Sequence, residues 1–119
     1  MNLKYLKLSI NNQGIARLLF SNAKSRNAFN PTMLLEINKA LKFLSKSRKC
    51  RVLIFSGEGD TFSSGADLSW MKKSKNLSYE QNKKESREFT QMLKAIDSFT
   101  KPTISLVNGH AFGGALGII

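Results

Sequence analysis

Two short glycine-bearing stretches constrain this chain more than any other feature. They are residues 62–68, FSSGADL, and residues 108–114, NGHAFGG. Each follows an apolar run that predicts a buried strand, residues 52–55 and 103–107, and each precedes a segment that can begin a helix. Such strand-to-helix turns leave backbone N–H groups without partners, and these groups can hold a negatively charged oxygen. The N–H groups of two such turns on neighbouring strands could converge on one carbonyl oxygen, as they do in an oxyanion hole.

The size and composition of the chain indicate an ordinary globular protein. It has 119 residues, 41% hydrophobic and 23% charged, which suits one domain or part of one. The N-terminus has charges within its apolar run, so it does not resemble a secretory signal, and no apolar run is long enough to span a membrane. Cys50 is the only cysteine and cannot form an internal disulfide. We therefore expect a cytoplasmic protein without membrane partners.

The charge of the chain is strongly positive. Nineteen Lys and Arg against eight Asp and Glu give a net charge of +11, which invites a nucleic-acid or membrane-surface partner. The basic residues are spread along the chain, however, and no aromatic residues interleave with them as a base-stacking platform requires. We interpret most of them as solvated surface, with a few cations facing a phosphate-bearing ligand, so nucleic acid is not the favoured partner.

The first half of the chain predicts a hairpin, a helix and a strand. Alternating apolar residues at 5–10 and the run at 15–20 predict two strands joined by a turn, followed by a loop over residues 21–30. Asn30 can cap a helix, Pro31 suits its first position, and we expect it to end near Ser47. The unbroken apolar run within residues 51–56 predicts a central strand buried on both faces, followed by a loop at 57–60.

The second half predicts two helices around another strand. A short helix should begin with Asp67 in its first turn, and the lysine-rich residues 72–77 should be mobile. Ser78 and Gln81 form a plausible capping box for a long helix whose apolar stripe runs from Phe89 to Phe99. Residues 103–107 predict a second central strand, and another helix should begin near Phe112. The order indicates an α/β fold with crossover connections.

Other candidate chemistry is weaker. The spacing of Gly113, Gly114 and Gly117 does not match a dinucleotide-binding turn, although a purely structural close-packing role stays open. His110 is the only histidine and has no nucleophile beside it, so we interpret it as structural or surface. Cys50 has no base partner in the sequence and is interpreted as inert, and no spacing of ligand residues indicates a metal site.

Both glycine stretches resemble the paired signatures of the crotonase (enoyl-CoA hydratase/isomerase) superfamily. Residues 26–30, RNAFN, also resemble the loop before that family's first helix. The resemblance runs along nearly the whole chain but covers only about the first half of a typical family domain. Residues 1–119 are therefore expected to be the N-terminal part of a single crotonase-like domain. Within the family, residues 65–68 with Trp70 and Met71 resemble branched-chain hydratases of the methylglutaconyl-CoA type.

The resemblance implies a truncated α/β fold of repeated ββα units and an acyl-CoA substrate. CoA would enter as part of the substrate, with no separate cofactor and no metal. The backbone N–H groups of Ala66 and Gly114 would form the oxyanion hole. A further set of residues would line the groove for CoA and the acyl chain: Lys24, Arg26, Ala28, Ser64, Ala66 and Leu68.

One departure from the family leaves the reaction open. Hydratases of this family usually place a glutamate three residues after the second oxyanion glycine, and this position is Gly117 here. Their second glutamate would come after Ile119. Hydration needs such an acid/base group, so we expect the fragment itself to be inactive. A complete parent protein could be a hydratase or an isomerase. The resemblance implies that this parent forms trimers or hexamers. The alternative is a non-catalytic remnant that binds CoA or, through its basic surface, RNA.

Overall fold

The computed structural model describes all residues from 1 to 119 and has a mixed α/β architecture. The strands are β1 Leu6–Ile10, β2 Ile15–Phe20, β3 Val52–Gly57, β4 Thr61–Ser63, β5 Thr103–Ser105 and β6 His110–Ala111. The α-helices are α1 Pro31–Lys46, α2 Leu68–Lys73 and α3 Tyr79–Asp97, and short 3₁₀ helices cover Ala23–Ser25, Ser74–Asn76 and Gly113–Gly117.

The strands form one four-stranded sheet and one small parallel pair. The sheet has the order β1-β2-β3-β5, in which β1 and β2 form an antiparallel hairpin while β3 is parallel to both β2 and β5. Parallel neighbours need crossover connections, and α1 and α3 lie in the segments that supply them. The predicted opening hairpin and the predicted crossover topology are confirmed. The second sheet pairs β4 with β6.

Helix α1 begins and ends where its sequence predicts. The Asn30 side chain accepts a hydrogen bond of 2.8 Å from Met33 N, Pro31 occupies the first turn, and Ser47 is the C-cap residue. The inward face of the helix is fully buried, because apolar residues recur every three or four positions. Helix α3 also begins as predicted, with a capping box between Ser78 and Gln81.

The core lies between one face of the main sheet and helices α1 and α3. Four fully buried phenylalanines fill it: Phe20, Phe29, Phe55 and Phe62. The Phe20 ring contacts Phe29 and Phe62 with centroid separations of 5.7 and 5.2 Å and edge-on geometry. These contacts join the hairpin, the loop before α1 and strand β4 into one aromatic cluster.

Two predictions about strand burial are wrong. Strand β3 is central, but its residues alternate between buried and half-buried, so only one face is covered. Strand β5 lies at the edge of the sheet, and Ile104 on it is 48% exposed. On β5 the residues of both faces are exposed or half-buried, so this edge of the sheet is little covered by the rest of the chain, whereas every second residue of β3 faces the core.

Three local predictions also need correction. Residues 61–63 form strand β4 rather than belonging to the turn, and Asp67 is the N-cap of α2 rather than part of its first turn. Residues 72–73 complete α2 and residues 74–76 form a 3₁₀ helix, where Asn82 Nδ2 donates to Ser74 O at 3.0 Å; the mobility of residues 72–77 stays a prediction. The segment after Phe112 is a 3₁₀ helix. None of the helices combines the length and apolar character needed to cross a bilayer.

The carboxylate of Glu58 should make stability depend on pH. The Ser21 hydroxyl donates to it and Lys7 Nζ lies 3.5 Å away, and both lower its pKa. The unfolded chain then binds the proton more readily than the folded chain. The ionised Glu58 therefore adds to the free energy of unfolding above the ordinary glutamate pKa, and this addition is lost as the pH falls through the lowered pKa. Urea unfolding of the native chain and of Glu58→Gln should give stabilities that differ at about pH 7 and converge towards about pH 3. A constant difference would contradict the assignment.

Candidate functional site

The small β4–β6 sheet places the two glycine turns side by side. Thr61 on β4 is paired with His110 on β6, and Ser63 is paired with Ala111. Phe112 N donates to Ser63 O at 3.0 Å, which extends the pairing to the start of the second turn. Because the two strands are parallel, the chain leaves both of them at the same edge. The turns that follow β4 and β6 therefore begin as neighbours.

The turns touch through two glycines with left-handed backbone conformations. Gly65 has φ +90° and Gly113 has φ +55°. A Cβ atom added to Gly65 would lie 2.8 Å from Phe112 O and 3.4 Å from the Cα of Gly113, and one added to Gly113 would lie 3.7 Å from the Cα of Gly65. Only a residue without a side chain at Gly65 allows this approach. Ala66 and Gly114 are thus the residues that directly follow the contact.

Backbone pairing leaves the N–H group of Ala66 without a protein acceptor. Phe29 N donates to Gly65 O and Asp67 N donates to Phe29 O, both at 2.7 Å. This bridge binds the residues on either side of Ala66 and turns its own N–H to the opposite side. Gly114 is the second residue of its 3₁₀ helix, so its N–H has no acceptor within the helix, and it makes no backbone bond elsewhere.

A buried asparagine fixes the first turn from behind. Asn27 is fully buried with φ +54°, a conformation that asparagine tolerates better than most residues. Its Nδ2 donates to Glu58 O at 2.9 Å and to Thr61 O at 2.8 Å. The Ser63 hydroxyl donates to Asn27 O at 2.8 Å and accepts from Gly65 N at 3.2 Å. Loop 21–30 therefore holds both ends of the first turn.

A groove of about 470 Å³ runs beside the first turn. It is lined by Lys24, Ser25, Arg26, Ala28, Ser64, Ala66, Asp67, Leu68 and Ser69. All six residues predicted to bind CoA or the acyl chain are in this set. Lys24 and Arg26 are exposed, and Leu68 keeps 71% of its surface exposed. The structure thus brings together two cations, a serine hydroxyl, an apolar side chain and the Ala66 backbone.

Gly114 is not among the lining residues of this groove, and it packs against helix α3 instead. A Cβ atom on Gly114 would lie 2.1 Å from Cζ of Phe89, so the aromatic ring sits directly on the glycine backbone. The ring of Phe89 also contacts that of Phe29 at 6.0 Å with an interplanar angle of 75°. The sequence identified Phe89 only as part of an apolar stripe.

The remaining candidates have structural roles. His110 is exposed and stacks on Phe112, with centroids 5.5 Å apart and rings 11° from parallel, which agrees with its interpretation as a surface residue. Cys50 is buried, with Sγ 3.8 Å from Val52 O. Asp67 is the only carboxylate that lines the groove, and its Oδ1 accepts from Trp70 N at 3.0 Å to cap α2. Gly117 packs against Leu93.

Comparison with known proteins identifies the family. The sequence profile of the enoyl-CoA hydratase/isomerase family matches residues 10–119. The chain is 36% identical over 105 residues to a crotonyl-CoA hydratase from Syntrophomonas wolfei and 38% identical over 104 residues to human enoyl-CoA delta isomerase 2, covering 84% of this chain in each case. The chain belongs to the enoyl-CoA hydratase/isomerase family.

Solved structures confirm the predicted crotonase-like α/β fold. The crystal structure of an enoyl-CoA hydratase from Shewanella pealeana matches 98% of this chain with a TM-score of 0.94 and 38% sequence identity. The match covers 43% of that chain, and the two relatives above are covered over 38% and 25% of their lengths. This chain therefore spans less than half the length of each of these three proteins.

The close approach of the two turns predicts unequal effects of alanine at two glycines. Gly59 has φ +84° like Gly65, but a Cβ there would meet only Ala23 at 3.7 Å. Gly59→Ala should lower the free energy of unfolding by about 1 kcal/mol, because alanine is strained in a left-handed conformation. Gly65→Ala should lower it by roughly 2 kcal/mol more, because its Cβ also overlaps Phe112 O. Urea unfolding measures both. Equal losses would show that the turns do not touch.

Proposed function

We propose that this chain forms the acyl-CoA-binding part of an enoyl-CoA hydratase/isomerase, with an oxyanion hole formed by Ala66 N–H and Gly114 N–H. The observation that supports it most directly is the contact between Gly65 and Gly113, because it sets two residues with free N–H groups next to each other. The adjacent groove supplies groups suited to the rest of a CoA thioester. Membership of the family supports the same substrate class.

The chemistry of the family's substrates explains why two backbone donors are useful. Addition of water to an enoyl thioester, or movement of its double bond, places negative charge on the thioester oxygen as an enolate forms. N–H groups fixed in advance stabilise that charge more than they stabilise the uncharged thioester, and one such donor is typically worth about 3 kcal/mol of the barrier. The donors carry no titratable proton, so their contribution should not depend on pH.

The groove residues fit the other parts of the ligand. Lys24 and Arg26 are exposed cations on the loop before α1, and they suit the phosphates of CoA. Ala28 of this loop and Ser64 of the first turn line the groove between the cations and Ala66, and Leu68 offers an apolar contact at the start of α2. In this arrangement the phosphates lie along the loop while the thioester approaches Ala66. CoA enters with the substrate, and no separate cofactor is invoked.

The chain lacks an evident acid/base group at the proposed site. Asp67 caps α2, and the position where the family resemblance expects a glutamate is Gly117, which packs against Leu93. Moving a proton in these reactions requires such a group. We therefore propose that the 119-residue chain binds acyl-CoA but has little or no hydratase activity. Rapid hydration of crotonyl-CoA by the purified chain would contradict this.

Binding of acetyl-CoA tests the groove. Arg26→Gln should weaken acetyl-CoA binding about fivefold, because an exposed cation contributes about 1 kcal/mol to a phosphate contact. The matched control is Arg48→Gln, which removes an exposed arginine after α1 and lies outside the groove. Isothermal titration calorimetry measures both. Equal affinities for the two variants, or no binding by the native chain, would reject the proposed groove.

An uneven charge distribution favours a second candidate function, the binding of RNA. Residues 1–57 contain eleven of the nineteen basic residues but only one of the eight acidic residues. That residue, Glu36, is buried and accepts hydrogen bonds from Lys4 N and Tyr5 N at 2.6 and 2.8 Å. The exposed charged side chains of residues 1–57 are therefore all positive, which suits a polyanion, although Glu58 lies against Lys7 on this surface.

Salt dependence separates the two functions. Binding of a single-stranded RNA should weaken steeply between low and moderate salt if it depends on the basic surface, because phosphate contacts release counterions. RNA binding of this kind, together with no acetyl-CoA binding, would favour the second function. Acetyl-CoA binding without RNA binding would favour the first.

A further inference from the structure

We propose that Phe89 on helix α3 is a positioning residue that sets the direction of the Gly114 N–H relative to the Ala66 N–H. This inference rests on the proposed oxyanion hole and adds a side chain that controls its geometry. Phe89 does not line the groove beside Ala66, so it acts through the backbone it contacts.

Contact between Phe89 and Gly114 is unusually direct. Three ring atoms, Cζ, Cε2 and Cε1, would lie 2.1, 3.0 and 3.1 Å from a Cβ built on Gly114. The edge of the ring therefore occupies the space that a side chain at this position would need. Because a protein interior is closely packed, a rigid ring in that place limits how far the turn can shift towards α3.

The same ring is connected to the first turn. Phe89 contacts Phe29 edge to face, and the backbone of Phe29 is hydrogen-bonded to Gly65 and Asp67 on both sides of Ala66. One residue therefore links the two proposed donors, since its neighbour Phe29 holds Ala66 and its own ring holds Gly114. Aromatic pairs of this kind are stabilised by more than their buried area.

The second turn needs this support more than the first. The first turn is fixed by Asn27, Ser63 and Phe29 through hydrogen bonds. Before the second turn, Asn108 bonds to Gly57 N and Gly59 O, and Phe112 N bonds to Ser63 O. No side chain is hydrogen-bonded to the backbone of residues 113–117. The backbone bond from Ala115 N to Phe112 O, at 3.0 Å, closes the turn around Gly114, and packing against α3 then sets how the closed turn is placed.

The test compares carbonyl polarisation with affinity. Acetyl-CoA labelled with ¹³C at its carbonyl should show a downfield carbonyl shift when bound to the native chain, because hydrogen bonds to the oxygen withdraw electron density. Phe89→Ala should reduce this shift by about half, since one of two donors is misdirected. The dissociation constant for free CoA should change less than about twofold, because the phosphate groups bind elsewhere.

Matched variants separate positioning from general loss of packing. Phe99→Ala removes another half-buried phenylalanine that packs on the same core, beside Leu41 and Lys42 of α1, and it should leave the carbonyl shift unchanged. Gly114→Ala should reduce the shift because its Cβ overlaps the Phe89 ring. Phe89→Leu removes the overlapping atoms, so the double variant Phe89→Leu with Gly114→Ala should recover part of the shift. This comparison remains informative if Phe89→Ala does not fold.

The outcomes distinguish the two proposals. No CoA binding or no carbonyl shift in the native chain would overturn the oxyanion hole and, with it, the role of Phe89. A native shift that is retained in Phe89→Ala, or reduced equally in Phe89→Ala and Phe99→Ala, would overturn the role of Phe89 alone. A native shift that Gly114→Ala reduces equally with or without Phe89→Leu would do the same.

Discussion

The close approach of two glycine backbones, at Gly65 and Gly113, is the constraint on which the candidate site depends. Neither turn is a site by itself, because a single strand-to-helix turn with a free N–H group is common in α/β proteins. The short β4–β6 pairing brings the turns together, and the absence of a side chain at Gly65 lets Phe112 O lie close to it. Once the turns touch, the residues that follow them, Ala66 and Gly114, present their N–H groups from adjacent segments of backbone.

Support for this contact comes from two kinds of interaction. Polar groups from the loop before α1 hold the first turn, with the Asn27 amide donating to the carbonyl groups of Glu58 and Thr61. Aromatic packing holds the second turn, through the contact of Phe89 with Gly114 and of Phe29 with Phe89. Hydrogen bonds fix the orientation of the first turn closely. Packing fixes the position of the second turn only while the side chains around it stay in place. The two halves of the site therefore differ in how readily substitutions should disturb them.

Much of the fold could be predicted from the sequence because its signals are local. The cap at Asn30 with Pro31, the capping box at Ser78 and the crossover order lie within short segments. Strand burial could not be predicted in the same way, since an apolar run such as 103–107 reports what a strand could contact rather than what covers it here. The six groove residues came from family resemblance and meet in one groove. The support from Phe89 depends on a contact between residues 25 positions apart, which no local pattern indicates.

The most direct test of this account is a crystal structure of the chain bound to a non-hydrolysable acyl-CoA analogue. We predict that the carbonyl oxygen of the ligand lies about 3 Å from both the Ala66 nitrogen and the Gly114 nitrogen, with the CoA phosphates near Lys24 and Arg26. An oxygen bound by only one of these nitrogens, or a ligand seated away from the contact between Gly65 and Gly113, would contradict it.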